Sequence, residues 1–368
     1  MSIHKITRKN GVSYQVKLRR PDGTQYSRTF RTKKEAEAFE NEEINSMRHG
    51  SWIDLRRSSA TFGDLVEDWI RHNTLKRQRS LDRDLGILKL HLLPALSTRQ
   101  IHTIKKTEIQ HLVNTWTKNG LKSRTIRRHI AVLKAIFNHA INDDCLMKNP
   151  AHGVTLQKPE PVERHPLSPE EASRLLGAID PYFKPLIYIA LTTGLRWSEL
   201  AGLQLQDLGL EGPEPHLTVN RGLHATSNGP TFEKPKSTAG HRTLPLSAEQ
   251  VTSIKSHIDS SSAHRTGVGT DPVFMTKKGR QLEYQNFANR IFNPAVKKAG
   301  LKDVRIHDLR RTTATLLVAN QVDLKTVEAW MGHSDVRLTL SVYASHTASG
   351  LTLASRVLSG QFVEHVQN

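Results

Sequence analysis

The sequence predicts a multidomain chain: a small α+β N-terminal module (short antiparallel sheet plus helix), an all-α four-helix domain, and a mainly α C-terminal domain with a small antiparallel sheet. Three observations predict it. At 368 residues the chain is long enough for two or three domains with proper cores. Its hydrophobic period is two near the start and close to 3.6 afterwards. A polar, proline-rich stretch, QKPEPVERHPL, then interrupts the helical pattern and is too polar for an interior element. The expected boundaries are residues 1–57, 60–155, a linker at 156–167, 168–348, and a C-terminal tail at 349–368.

Charge narrows the partner. Lys+Arg number 53 against 35 Asp+Glu, a formal net charge of +18, which favours a polyanion, nucleic acid first. A basic membrane-surface protein is the alternative, but no lipidation signal or strongly amphipathic basic helix stands out. One cysteine, Cys145, excludes an internal disulfide and a cysteine-based zinc finger, and suits a reducing compartment. With no apolar signal region and no run near the roughly 18 residues of a membrane span, the expectation is a soluble cytoplasmic protein with no membrane partner.

Residues 1–34 hold ten Lys or Arg against the single acid Asp22. Val12, Tyr14, Val16 and Leu18 alternate with Ser13, Gln15, Lys17 and Arg19, a strand with one apolar and one basic face. Pro21-Asp22-Gly23 reverses it, and Thr24 to Arg31 repeats the alternation with Tyr26 and Phe30 inward. Thr32 with Glu35 forms a capping box for a helix whose inner stripe is Ala36, Phe39, Ile44 and Met47, ending by Gly50. So basic a sheet fits the DNA major groove, with Lys17, Arg19 and Arg31 as contacts.

From Thr61 the pattern is helical. Thr61 caps Phe62, Leu65, Val66, Trp69 and Ile70; Leu81, Leu85, Leu88 and Leu92 follow before Pro94. Thr107 is expected to cap Ile109, Leu112, Val113 and Trp116, and Ser123 to cap Ile126, Ile130, Leu133 and Phe137. The polar faces carry Lys122, Arg124, Arg127 and Arg128 among others. One such residue is ordinarily a solvated charge; collectively they suit phosphate contacts.

Ser168-Pro169-Glu170-Glu171 opens the third domain with an N-cap, a proline at the first helical position and a capping glutamate. A buried helix with Leu186, Ile187, Ile189 and Leu191 runs to Gly194, then Arg196 and Glu199 stand three apart. Such a pair is commonly a surface ion pair of little value; here the carboxylate is placed to fix the arginine fork as a phosphate clamp. His216 to Arg221 and Thr231 to Leu246 read as two or three short strands. An exposed lysine near a hairpin is ordinarily a solubilising charge, and spacing alone gives Lys236 no other role. Helix returns within Asp271 to Gly300, around Phe287, Ile291, Phe292 and Val296.

The run Arg305 to His346 is the focus. His307 and Arg310 share a helix face, while Leu309, Leu316 and Leu317 turn to a core. Asp323 caps a second helix, with Leu324, Val327 and Trp330 inward and Gly332 as its stop, delivering His333. Ser334 or Asp335 can cap a third segment bearing Tyr343.

Absences exclude several chemistries. There is no G-x-x-x-x-G-K-[ST] loop, no H-E-x-x-H and no carboxylate cluster of the kind that holds two metal ions on a phosphate. No cofactor and no metal is therefore expected. What remains is a cation-rich set, Arg196, Lys236, His307, Arg310 and His333, with one tyrosine. Guanidiniums match non-bridging phosphate oxygens, a phenol beside them can attack, and a lysine or imidazole can protonate the leaving sugar oxygen.

With Thr193-Gly194-Leu195-Arg196-Trp197-Ser198-Glu199-Leu200, His307-Asp308-Leu309-Arg310-Arg311-Thr312, Met331-Gly332-His333-Ser334 and Tyr343-Ala344-Ser345-His346 in that order, the chain resembles the tyrosine recombinase (phage integrase) family along its whole length. The resemblance implies an arm-binding module, a core-binding helical domain and a catalytic domain. It implies Tyr343 as the nucleophile of a 3′-phosphotyrosyl link, Arg196 and Arg310 as the clamp, His307 in acid/base catalysis and His333 as a phosphate hydrogen-bond donor. Lys236 best matches the family's hairpin lysine, the general acid, from its interval before Arg242-Thr243-Leu244-Pro245-Leu246; Lys234 competes. Met331 stands where Leu is commoner. The implied partners are double-stranded DNA at core and arm attachment sites, other copies in a tetramer on DNA, a DNA-bending host factor and a directionality factor. A topoisomerase with the same tyrosine chemistry lacks this three-part layout, and a DNA-binding protein with a degenerate site would have lost one of the six positions. The tail is expected to dock on a neighbouring subunit or pack on its own.

Overall fold

The structure is a computed structural model that describes residues 2–8, 11–19, 25–48, 60–160, 165–235 and 238–332. The chain divides into two compact units, Met1–Pro161 and Val162–Asn368. The architecture is multidomain and mostly helical, with small antiparallel sheets. No helix among the described residues is long and apolar enough to cross a membrane.

The N-terminal module is a three-stranded antiparallel sheet, β1 Ser2–Arg8, β2 Gly11–Arg19 and β3 Gln25–Phe30, with helix α1 Lys33–Arg48. Sequence reading anticipates β2 and β3 but not β1, whose Ser2, Lys5, Thr7 and Arg8 dilute the apolar alternation. Register explains it: Ile3 pairs with Val16 and Lys5 with Tyr14, so β1 is an edge strand held mainly by its ladder. Val16 and Leu18 pack with Ala36 and Phe39 of α1, and Arg28 lies over the Phe30 and Phe39 rings. Thr32 Oγ1 and Glu35 form the expected reciprocal cap. Lys17 and Arg19 are exposed on alternate positions of β2, and Arg31 is exposed beyond β3. The Pro21-Asp22-Gly23 turn and Gly50 lie outside the described residues.

The helical domain comprises α2 Phe62–His72, α3 Gln78–Ile87, α4 Leu93–Leu96, α5 Lys106–Lys118 and α6 Ser123–Asn142. Thr61 caps α2 reciprocally with Asp64. Two expected caps are corrected. Thr107 lies inside α5, which starts after Lys105, and Ser123 is the first residue of α6, where its hydroxyl donates to the Gln157 carbonyl. Pro94 does not end its helix either. A wide π-type turn over Leu88–Leu92, closed by the Leu93 N–H on the Leu88 carbonyl, carries the chain past the proline's missing donor. The device recurs at Ala288–Phe292 before Pro294.

The second unit contains α7 Pro169–Ala178, α8 Lys184–Thr193, α9 Trp197–Gly202, β4 Leu208–Gly209, β5 His216–Val219, β6 Gly222–Thr226, β7 Gly229–Glu233, β8 Arg242–Pro245, α10 Ala248–Ser260, α11 Tyr284–Phe287, α12 Asn293–Lys298, α13 Ile306–Ala319 and α14 Leu324–Met331. Its strands form two sheets, β4-β5-β8 and the hairpin β6-β7, rather than the single small sheet expected. Helix α10, opened by a Ser247–Gln250 capping box, is a second element that sequence reading leaves unassigned. Its apolar stripe is sparse: Ile254 is buried, but buried Gln250 and His257 share the inner side. Residues 271–283 form loops with two isolated bridges, Gln204 to Pro272 and Met275 to Gln281, and helix begins at Tyr284. The core gathers Leu186, Ile187, Ile189, Leu200, Leu217, Leu244, Ile254, Phe274, Phe292 and Leu309.

Candidate active site

Helix α8 ends because Gly194 takes a left-handed conformation, φ 66°, where a β-carbon would come 2.9 Å from the Met331 Sδ. The chain leaves extended at Arg196, which is the N-cap of α9. Its backbone N–H donates to Glu199 Oε2 at 2.9 Å, and its Nη1 pairs with Glu199 Oε1 at 2.6 Å. The carboxylate thus fixes both ends of the arginine. Nη2 of Arg196 then donates to the Gly332 carbonyl at 3.0 Å.

Arg310 arrives from α13, which starts with Asp308 accepting from the Arg305 N–H. It donates through Nη1 to the Gly194 carbonyl at 2.7 Å and through Nη2 to the Met331 carbonyl. Thr313 anchors the same helix by donating to the Leu191 carbonyl at 2.7 Å. A third guanidinium completes the group. Arg242, at the start of β8, donates to the Trp330 carbonyl through Nε at 2.8 Å, to the Gly240 carbonyl at 3.3 Å, and to Glu199 Oε2 at 3.0 Å.

Three arginines from three elements therefore hold three successive carbonyls at the end of α14: Arg242 on Trp330, Arg310 on Met331, Arg196 on Gly332. These are carbonyls a helix leaves unsatisfied, at its negative end. Gly332 turns the chain with φ 61°, and a β-carbon there would stand 2.8 Å from the Ala239 carbonyl oxygen and from Arg242 Nη1. In the sequence His333 follows this capped end directly.

One carboxylate sits among three guanidiniums. Burial alone pushes Glu199 upward, but Arg242 and Arg196 outweigh it and hold the carboxyl below its ordinary range. Arg310 is buried, and that burial, reinforced by Arg196, lowers its guanidinium to about 9. His307, in the first turn of α13, is held below the ordinary imidazole range by burial of its ring and by the Arg310 charge. By accessible surface the residue is exposed, so desolvation is incomplete; ring burial and the Arg310 charge still act together against the smaller opposing pull of Asp308, and favour the neutral ring. Cations in excess over carboxylates make a receptor for an anion with several oxygens.

Of the six residues expected at the site, the structure brings together Arg196, His307 and Arg310; Lys236, His333 and Tyr343 lie outside the described residues, as do Ser334, Asp335 and the tail. Lys234 is exposed, on the wall of a cavity of about 760 Å³ shared with Arg221, Phe232 and His241. Arg242 was missed. Its signal was present: Arg242, Leu244 and Leu246 alternate on the buried face, so the arginine holds a core position. Among the helical-domain cations, Lys122 and Arg124 are exposed at the start of α6, Arg128 stands 3.9 Å from Asp84, and Arg127 is occupied by the Leu156 and Gln157 carbonyls.

Solved structures place this architecture among DNA recombinases. The chain is similar to a Tn1549 transposon integrase in complex with a circular intermediate DNA, at 25% identity and TM-score 0.68, over 80% of this chain and 100% of that one. It shares the fold of a lambda integrase dimer bound to a core site, at 18% identity and TM-score 0.61, over 92% and 93% of the two chains. A tyrosine recombinase XerC-like protein of Caldanaerobacter subterraneus is 28% identical over 360 residues, 90% of this chain and 91% of that protein. The phage integrase family model matches residues 166–349, and the phage integrase N-terminal SAM-like domain matches residues 61–117. The chain belongs to the phage integrase family. It is a site-specific tyrosine recombinase of mobile elements, an enzyme that cleaves and rejoins DNA strands.

Proposed function

We propose that the cation-rich end of α14 receives the scissile phosphate of double-stranded DNA and that Tyr343 attacks it. The observation that carries this reading is the convergence of Arg196 and Arg310 on the carbonyls of Gly332 and Met331, immediately before His333. A guanidinium has five N–H donors, and these contacts use only some of them. The remainder suit non-bridging oxygens, whose charge grows as phosphorus becomes five-coordinate. The tyrosyl oxygen forms the new P–O bond and the 5′ sugar oxygen leaves, giving a 3′-phosphotyrosyl link that retains the bond energy for rejoining. Lys236, or Lys234 in its place, protonates the leaving oxygen; neutral His307 serves in acid/base exchange and His333 donates to the phosphate. No metal or nucleotide enters these steps.

In the same reading, residues 1–57 bind arm sites, 60–155 bind core sites, 156–167 link them to the catalytic residues 168–348, and residues 349–368 couple subunits of a tetramer assembled on DNA. A DNA-bending host factor and a directionality factor set the outcome, and the enzyme works in the cytoplasm. The test is a nicked attachment-site duplex incubated with the protein: an SDS-resistant adduct forms with the natural chain and is lost in Tyr343→Phe while DNA binding persists. An adduct that survives in the variant removes Tyr343 from its role.

A further inference from the structure

In the helical domain, two helices end beside one another with metal-binding side chains in their last turns. Asp68 and His72 are four apart on α2, and His139 on α6 is four residues before Asp143, the cap residue of that helix. Ligand atoms of Asp68, His72 and His139 all lie within 4.8 Å of one another. His139 Nε2 stands 2.8 Å from Asp68 Oδ2 and 3.7 Å from Asp143 Oδ2; His72 Nδ1 stands 3.5 Å from Asp68 Oδ2 and 2.9 Å from the Asp68 carbonyl. The imidazole centroids are 5.3 Å apart.

We propose that Asp68, His72 and His139, with Asp143 as fourth ligand, bind one divalent transition-metal ion of the zinc class and staple α2 to α6. Zinc bonds of roughly 2.0–2.2 Å in a tetrahedron set neighbouring ligand atoms about 3.3 Å apart. The 2.8, 3.5 and 3.7 Å separations between side-chain ligand atoms bracket that value, so the ion requires small side-chain movements, displacement of the proton shared by His139 and Asp68, and transfer of the His72 ring proton from Nδ1, which faces the Asp68 carbonyl, to Nε2. Two imidazoles and two carboxylates are a donor set that zinc accepts. Both helices present their C-terminal ends, where the backbone dipole favours a cation. The staple supplements the apolar contact that already joins the two helices, the Phe62 and Phe137 rings at 5.7 Å. It takes no part in strand cleavage.

Zinc titrated into the EDTA-treated, dialysed full-length protein should bind one ion per chain with micromolar affinity and raise the melting temperature by a few degrees at saturation. His72 is 63% exposed, so His72→Ala should leave the metal-free melting temperature unchanged while weakening binding at least tenfold; Asp68→Asn should also weaken binding. Cobalt in place of zinc should give the intense visible bands of a tetrahedral site, lost in His72→Ala. Strand cleavage should be the same with zinc or EDTA. The proposal is overturned if zinc leaves the melting curve unmoved, if both variants bind as tightly as the natural chain, which would place the ion on other histidines, or if cobalt gives a weak octahedral spectrum.

Discussion

Arg242 donates through Nε to the carbonyl of Trp330 at 2.8 Å, tying the first residue of β8 to the helix end that precedes His333. The same guanidinium forms a buried ion pair with Glu199, the two side chains being 6% and 8% exposed. Glu199 in turn holds Arg196. Arg242 therefore organises the clamp without being one of the residues proposed to touch the phosphate.

Replacing Arg242 should consequently cost stability and geometry together. Removing one partner of a buried, hydrogen-bonded pair costs about 3–5 kcal/mol, and Arg242→Ala also strips caps from Trp330 and Gly240. Urea unfolding of the second unit should show a loss of that order, and adduct formation should fall even where the protein remains folded. Arg242→Lys should recover part of the stability, because a lysine can meet Glu199, but less of the activity, because it cannot span Glu199 and two carbonyls. A variant that unfolds at the natural midpoint would show that the pair is energetically idle.

Gly332→Ala tests the approach of the α14 end to the β8 side of the site. A left-handed backbone costs an L-residue about 1–2 kcal/mol, and the added carbon would meet the Ala239 carbonyl oxygen at 2.8 Å, a backbone atom that cannot swing away. The expected outcome is a folded protein, destabilised by at least that amount, with adduct formation reduced more than DNA binding. Equal loss of binding and cleavage would separate Gly332 from the positioning of His333.

These residues also show what could be read without the structure. The two left-handed helix stops at Gly194 and Gly332, the Thr61 and Ser168 caps and the His307–Arg310 face were legible because each depends on a few neighbouring residues. Arg242 was legible only as a buried position, from its alternation with Leu244 and Leu246; its role was not, because its partners Glu199 and Trp330 are 43 and 88 positions away. Thr107 and Ser123 misled for a different reason: both have capping chemistry, but the helices begin earlier, and Ser123 finds a carbonyl 34 positions on. β1 was hidden because an edge strand held by its ladder needs little apolar alternation.

His257 predicts an acid limb in stability. Burial, aided by the Arg265 charge, lowers this imidazole to about 4; a contact with the Tyr182 backbone opposes the shift but is too poorly aligned to satisfy either ring nitrogen. Its unfolded value is about 6.5, so the unfolded chain binds the proton first. Stability is full above about 6.5 and falls as pH drops towards 4, by at most roughly 3 kcal/mol from this one group. His257→Phe, flanked by the Tyr182 and Phe274 rings at 5.1 and 5.2 Å, should flatten the fall between pH 6.5 and 4.5 in melts of the second unit. An unchanged slope would assign the acid limb to other groups.

The N-terminal module makes a prediction that is separable from the chemistry. Helix α1 covers one side of the sheet through Ala36 and Phe39, while Lys17 and Arg19 alternate with buried Val16 and Leu18 and so lie on the opposite side, beside Gln25 and Ser27 of β3. Ten cations within residues 1–34 are far more than so small a module needs for solubility. If that face lies on DNA, each phosphate it neutralises contributes about 0.9 to the slope of log affinity against log salt. A chain lacking residues 1–57 should then bind an arm-site duplex weakly and with a flatter slope, while cleaving a nicked core-site duplex nearly as well as the full chain. Lys17→Ala with Arg19→Ala in the full-length protein should reproduce part of the change in slope without altering the fold, since both side chains are exposed. Arm-site binding with an unaltered slope in the truncated chain would move recognition of that site to another part of the molecule.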